Sequence, residues 1–440
     1  MFPQPPSARA DRTTTWPSGT HVWGIVIGRV GAGHDAAALV IVDRLSKLGL
    51  PNSYPGRTDG AHMTLITSSP FASPPLSAVG AGRLSSAGGR QSKTDRPVSE
   101  FAALSHSIHA AGLMRRRYGY YWTKMLGLLV ALAAVVFVFV KSGNSWWQLV
   151  TAAVLAGVLT QTAFLGHDAA HRQIFKSGKW NDWISLIIAN LLVGISYGWW
   201  RNKHTRHHAN PNKQGSDPDI HLKAVAVTPD QVQRHSHPFV RWLVAHQGWW
   251  FFPILLLEGI NLHVSGIRRV FGREKVERRW VESTLLILRI GGYLAIVFSI
   301  LPPGKAVVFL IVQLGLFGLY MGASFAPNHV GMPLVSSKLK LDFLRRQVLM
   351  SRNISGGPFV DVFMGGLNHQ VEHHLFPSMP RPHLRKAQPL VAAYCVAQQV
   401  PYTQTTLWQS YGILTRYLNS VGLRHRDPFL CPLVASRRAS

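Results

Sequence analysis

The sequence predicts an all-α membrane protein: four transmembrane helices in two hairpins, a cytoplasmic helical cap, and further interfacial or re-entrant helices. Three observations carry this expectation. Four apolar runs each approach the roughly 20 residues needed to cross a bilayer. Basic residues lie mostly between those runs, as in membrane proteins whose cytoplasmic loops hold the positive charge. The 21 histidines gather in short clusters near the ends of the runs and in the loops that follow.

Residues 1–98 read as a low-complexity extension, rich in Pro, Ser, Gly and Thr, and are expected to be disordered. Gly28, Gly31 and Gly33 lack the dinucleotide-binding spacing, and the natural start is open to a position near Met63 or just before the first span. Residues 99–400 read as the membrane domain. Phe101 to Gly112 is expected to be a short surface helix. The runs Met125 to Val140 and Trp147 to Leu165 are separated by a tight turn and form the first hairpin; Ser283 to Leu301 and Val307 to Phe325 form the second. Trp183 to Trp200 and Trp249 to Ile260 are apolar but flanked by Trp pairs, so both are read as re-entrant or interfacial. Residues 401–440 are left as a C-terminal cytoplasmic tail.

Lys plus Arg number 46 against 19 for Asp plus Glu, a formal charge of +27. Loops 166–282 and 327–440 hold most of this charge beyond the first span, which places them in the cytoplasm. Such a balance calls for a polyanionic partner, but the four spans exclude a simple nucleic-acid binder. The two cysteines, Cys395 and Cys431, form no short-spaced pair, so a metal here would rest on imidazole, carboxylate or amide groups.

Four histidine positions stand out. His167 and His171 are four apart at the end of the second run, on one helical face. His204, His207 and His208 follow the i, i+3, i+4 pattern, which Gln370, His373 and His374 repeat. His369 lies four before His373 and offers a second register. His329 sits just past the last run, at the depth of His167. A lone histidine is usually structural, so His329 draws its weight from the other clusters. Asn202, Asn210, Asn212, Asp217 and Asp219 surround the second cluster as partners able to fix ring tautomers, although turn and cap chemistry is the commoner use of each. A shared site requires every cluster on one membrane face, so Trp183 to Trp200 does not cross fully. A catalytic zinc takes about three protein ligands, so this donor set fits two ions better than one. Imidazole suits iron, zinc and copper alike.

At these residues the sequence resembles the integral-membrane fatty acid desaturases, over roughly Val98 to Val400. The run Gly365 to Asn368, then Gln370-Val371-Glu372-His373-His374-Leu375-Phe376-Pro377, is similar to the branch of front-end and bacterial linoleoyl-CoA-type enzymes, in which glutamine opens the third histidine box. The resemblance implies that His167, His171, His204, His207, His208, His329, Gln370, His373 and His374 ligate two iron ions, and that His369 takes a neighbouring role. It implies dioxygen-dependent desaturation of a fatty acyl-CoA or acyl lipid in the membrane, with electrons from a separate ferredoxin or b-type cytochrome served by a reductase, since no His-Pro-Gly-Gly haem motif occurs. It further implies a multi-pass protein of the bacterial plasma membrane with both termini cytoplasmic. Tyr197, Trp199, Trp200 and apolar residues of the second and fourth spans are candidate walls of an acyl tunnel. The nearest rival is a hydroxylase or monooxygenase on the same scaffold, distinguished by product mass. A metal transporter is disfavoured because the histidines sit at the span ends, away from the midplane.

Overall fold

A computed structural model describes residues 100–221, 224–232 and 237–423. The chain divides into two units, residues 1–90 and 91–440, and every described residue belongs to the second. The expected extension at 1–98 lies outside the described residues.

The first hairpin joins α2 (Tyr118–Ser142) to α3 (Gln148–Ala170). Gly143 turns the chain at φ +53°, a region that favours glycine. Gln148 then closes the turn, donating to the carbonyls of Phe139 (2.7 Å) and Gly143 (2.9 Å), which the end of α2 leaves without helical partners. The second hairpin joins α10 (Arg279–Ile300) to α11 (Pro303–Phe325), with Pro303 at a first-turn position where its missing N–H costs nothing.

These four helices are long and apolar enough to cross a membrane, and they are not equivalent. Burial reaches 56% of the apolar window of α3 and 39% of that of α11, against 17% for α2 and α10. The pair α3 and α11 is therefore the inner one. The outer helices turn Leu126, Phe137, Ile287 and Leu288 outward, as lipid-facing helices do.

Both stretches read as re-entrant or interfacial are bent. Helix α4 (Gly178–Leu186) runs into a π-helical turn, Ile187–Val193, which meets α5 (Tyr197–Ala209) at 116°. Beyond the short α6 (Pro229–Val232) and α7 (Pro238–Ala245), α8 (Gln247–Leu255) meets α9 (Glu258–Phe271) at 66°. Gly259 and Gly318 face each other where α9 crosses α11, and a Cβ on either would strike the other helix's backbone. Small residues at such crossings let two helices approach closely.

The remaining helices cap one end of the spans: α12 (Phe343–Leu349), α13 (Gly357–Phe363), α14 (Gln370–Leu375) and α15 (Arg381–Ala397). Parallel strands β1 (Asn353–Ser355) and β2 (Gln404–Thr406) pair with Asn353 opposite Gln404. Helix α1 (Glu100–Ala110) is more than the surface helix expected. Its Leu104 and Ile108, four apart, are buried with Val348, Val371 and Leu384 in the core of the cap. Within 401–440, α16 (Leu407–Gly422) buries Leu414 and Leu418 with Phe251 and Leu255 of α8.

Candidate metal centre and apolar cavity

The histidines singled out in the sequence come together from four parts of the chain and divide into two groups. His167 at the end of α3, His171 just beyond it, His204 and His208 of α5 and His373 of α14 form the first. His207, His329 and His374 form the second, with the Gln370 amide nitrogen 2.9 Å from His329 Nε2. Each His-His doublet straddles the groups: successive helical residues point about 100° apart, so His207 and His208 part company, as do His373 and His374. The second and third clusters, read as one helical face each, are each divided between the two groups.

In the first group the Nε2 atom of His204 lies 3.1 Å from that of His167, 2.8 Å from that of His171 and 3.0 Å from that of His208. His373 Nε2 lies 3.1 Å from that of His208. One ring nitrogen carries at most one proton, so these converging lone pairs cannot all be paired as hydrogen bonds. A cation satisfies them together. In the second group His374 Nε2 is buried with no hydrogen-bond partner, and His207 Nε2 lies 3.3 Å from His329 Nε2. Both donor sets fit metal ions.

The opposite ring nitrogens differ. His207 Nδ1 donates to Asp217 (3.0 Å), His329 Nδ1 to the Met350 carbonyl (2.9 Å) and His374 Nδ1 to Gln347 Oε1 (2.9 Å). Each bond fixes the tautomer that leaves Nε2 free. Asp217 is fully buried and also accepts from the Asn212 and Asp219 amides. In the first group His208 Nδ1 and His373 Nδ1 have no partner. That group is braced through its helix instead: Arg381, at the start of α15, pairs with buried Asp168 (2.7 Å) and donates to the Phe164 carbonyl (2.7 Å).

Burial first, then neighbouring imidazoles, holds His171, His204, His208, His373 and His374 well below the ordinary imidazole range. Burial takes His329 down to about 3. His207 is also depressed by burial, but its hydrogen bond to Asp217 and the charge of that carboxylate prevail and leave it raised. Mostly neutral imidazoles are the form that binds metal.

His369 turns away from both groups and lies 3.0 Å from Asp361 of α13. Glu372 also faces elsewhere, accepting from Asn353 and Tyr402 at 2.7 Å each. Of the polar residues around the second cluster, Asp217 and Asp219 both meet His207 Nδ1, at 3.0 and 3.3 Å, and Asn212 donates to the His329 carbonyl, while Asn210 ends α5. Gln347, Arg352 and Arg381 carried no signal of spacing. Arg352 is buried and donates to the carbonyls of Pro327 and Val330, so it fixes the turn that presents His329. Gln347 joins the groups, holding His374 with its oxygen and the His208 carbonyl with its nitrogen (3.0 Å).

An apolar cavity of about 230 Å³ opens onto the histidines. His204 of the first group and His207, His329 and Gln370 of the second line it, with Trp199, Trp200, Leu255, Leu262 and Phe325 among its walls. Trp200 stacks on His204 with ring centroids 4.4 Å apart. Two expected wall elements are absent. Tyr197 lies two residues from Trp199, hence on the other side of α5, and its hydroxyl donates to Asp182. The cavity wall from the spans comes from α11, through Met321, Gly322 and Phe325, and none from α3.

Spans that end in clustered imidazoles beside an apolar cavity define a membrane enzyme of the metal-dependent kind, acting on a greasy substrate. The family model described as fatty acid desaturase matches residues 144–406. The chain is 30% identical over 342 residues to the Delta(6)-fatty-acid desaturase fat-3 of Caenorhabditis elegans, covering 74% of this chain and 75% of that protein. It is 27% identical over 341 residues to a Delta(8)-fatty-acid desaturase of Helianthus annuus, covering 74% of each. With an acyl-lipid (9-3)-desaturase of Borago officinalis it shares 30% identity over 280 residues, 61% of this chain and 62% of that one. The chain belongs to the fatty acid desaturase family, and its activity is the oxidoreductive desaturation of a fatty acid.

Proposed function

We propose that the two histidine groups hold two iron ions, one through His167, His171, His204, His208 and His373, the other through His207, His329, His374 and Gln370. The observation that carries this reading is an apolar cavity lined by His204 of the first group and by His207, His329 and Gln370 of the second. Iron, when bound, supplies the dioxygen and one-electron chemistry that imidazole and carboxylate side chains lack. The net change takes two hydrogens from adjacent methylenes and two electrons and two protons from outside, and reduces dioxygen to two waters. The protein's own part is to hold and to exclude. Asp217, Gln347 and the Met350 carbonyl keep three Nε2 atoms free, while Leu255, Leu262 and Phe325 keep water from the reacting methylenes. Trp199 and Trp200 set which carbons reach the imidazoles.

The substrate is an acyl-CoA or acyl lipid. By likeness to the Delta(6) and Delta(8) relatives, the new double bond lies toward the carboxyl end. Electrons come from a ferredoxin or a b-type cytochrome with its reductase, steered to the site by the positive surface. The histidine groups and both termini face the cytoplasm. The relatives named above are eukaryotic, so placement in a bacterial plasma membrane rests on the sequence resemblance alone.

The test is expression of the intact chain and of His207→Ala in a host of defined fatty acid profile, with products read by gas chromatography and mass. A new acid two hydrogens lighter, made by the intact chain and abolished in the variant, is the expected outcome. Unchanged profiles from folded, iron-loaded protein, or a gain of one oxygen, would overturn the reading.

A further inference from the structure

The charges carried by α10 have no role in the site described above. Glu282 and Arg289 are seven residues apart, two turns of helix, so they share one face. That face meets the 116° break between the π-helical turn and α5. Glu282 is buried and accepts from Ser196 Oγ (2.6 Å), Asn190 Nδ2 (3.2 Å) and the Gly198 amide (3.2 Å). The other first-turn amides of α5 are also met: Tyr197 donates to Asn190 Oδ1 (3.1 Å) and Trp199 to Ser196 Oγ (3.1 Å). Across the break, Arg289 Nε donates to the Leu192 carbonyl (2.8 Å) at the end of the π-helical turn. His263 lies 3.3 Å from the next carbonyl, that of Val193. A negative charge thus meets a helix start and a positive charge a helix end, the signs favoured by the helix dipole. A charge within an apolar span is costly and is retained where a specific partner meets it.

We infer that Glu282 and Arg289 are positioning residues that clamp this break and so set the direction of α5 for desaturation. α5 carries His204, His207 and His208 together with the cavity walls Trp199 and Trp200. The clearances leave little room for drift: a Cβ on Gly198 would come 2.6 Å from Glu282 Oε1, and one on Gly194, at φ +94°, would come 3.1 Å from His263. Loosening the clamp shifts the second histidine cluster and one cavity wall together, and therefore shifts which methylenes are presented. The inference rests on the reading that α5 bears metal-holding histidines. Failure of that reading would show separately, as undiminished iron in His207→Ala.

The test uses the full-length holoenzyme in membranes, with turnover, iron per chain and double-bond position measured together. Glu282→Ala and Arg289→Met are expected to lower turnover by about tenfold or more, the range for partners that orient metal-binding side chains. They should also give mixed positional isomers where the intact enzyme gives one. Glu282→Gln keeps an acceptor oxygen and should fall between. The exchange E282R/R289E keeps the net charge but reverses both caps, so it should be no better than the single variants. A native isomer pattern in Glu282→Ala, or recovery in the exchange as for a simple ion pair, would overturn the inference. If the truncated variants do not accumulate, Glu282→Gln and Ser196→Ala carry the test. A native isomer pattern and turnover in both would then overturn it.

Discussion

The two histidine groups are close enough to border one cavity, yet one is held ring by ring and the other helix by helix. In the second group His207, His329 and His374 each give their Nδ1 proton to a fixed acceptor, and one of those acceptors is the buried Asp217 carboxylate. In the first group the buried Nδ1 atoms of His208 and His373 meet nothing, and order comes from the backbone. Arg381 pins the end of α3 through Asp168, and α5 is fixed at its break. The difference separates ligand strength from ligand placement. An imidazole that donates to a carboxylate is a firmer, more basic ligand. One whose Nδ1 meets no partner, as in His208 and His373, is a more adjustable ligand.

That contrast is most directly broken at Asp217. Asp217→Asn keeps the shape but removes the nearer of the two carboxylate charges that support His207, and turnover should fall about 10- to 100-fold. Iron per chain should drop toward half and not to zero, because the first group keeps its own ligands. Equal loss from both groups would show that they are not independently held. The second largest effect is expected from Arg381→Ala, which leaves the Asp168 carboxylate buried and unpaired and should cost about 3–5 kcal/mol of stability. In denaturation followed alongside iron release, the first group should empty before the second. The smallest effect belongs to His369→Ala. This histidine faces Asp361, so iron content and product should be unchanged, with a stability loss of about 1.5–3 kcal/mol for a hydrogen bond to a charged group. Loss of iron in that variant would place His369 among the ligands and redraw the first group.

The sequence made the spans, the bends and the histidine clusters legible because each is a local pattern: an apolar run of given length, a Trp pair at its end, a spacing of three or four. It did not show which partners each half of a doublet meets: the step of about 100° along α5 parts His207 from His208, but their company depends on where His329 and α14 arrive. Gln347, Arg352 and Arg381 were silent for the same reason. A single Gln or Arg takes its meaning from a carbonyl or carboxylate far away in the chain, as Arg381 does from Asp168. The tunnel wall drawn from the second span was misplaced because α3 gives its inner face to α11 and α2, with Leu155, Leu159 and Leu165 in the same core as Phe309 and Phe317.

The order in which donors occur along the chain has a consequence for biogenesis. His167 is made early, His374 more than two hundred residues later, and the brace at Arg381 later still. During synthesis the first spans therefore enter the bilayer carrying exposed, uncommitted imidazoles. Neither group is complete until the cap has been made and has folded back over them. Metal loading would thus be a late event that follows synthesis of the cap, and a chain truncated before residue 370 would keep His167, His171, His204, His207, His208 and His329 but lack Gln370, His373 and His374.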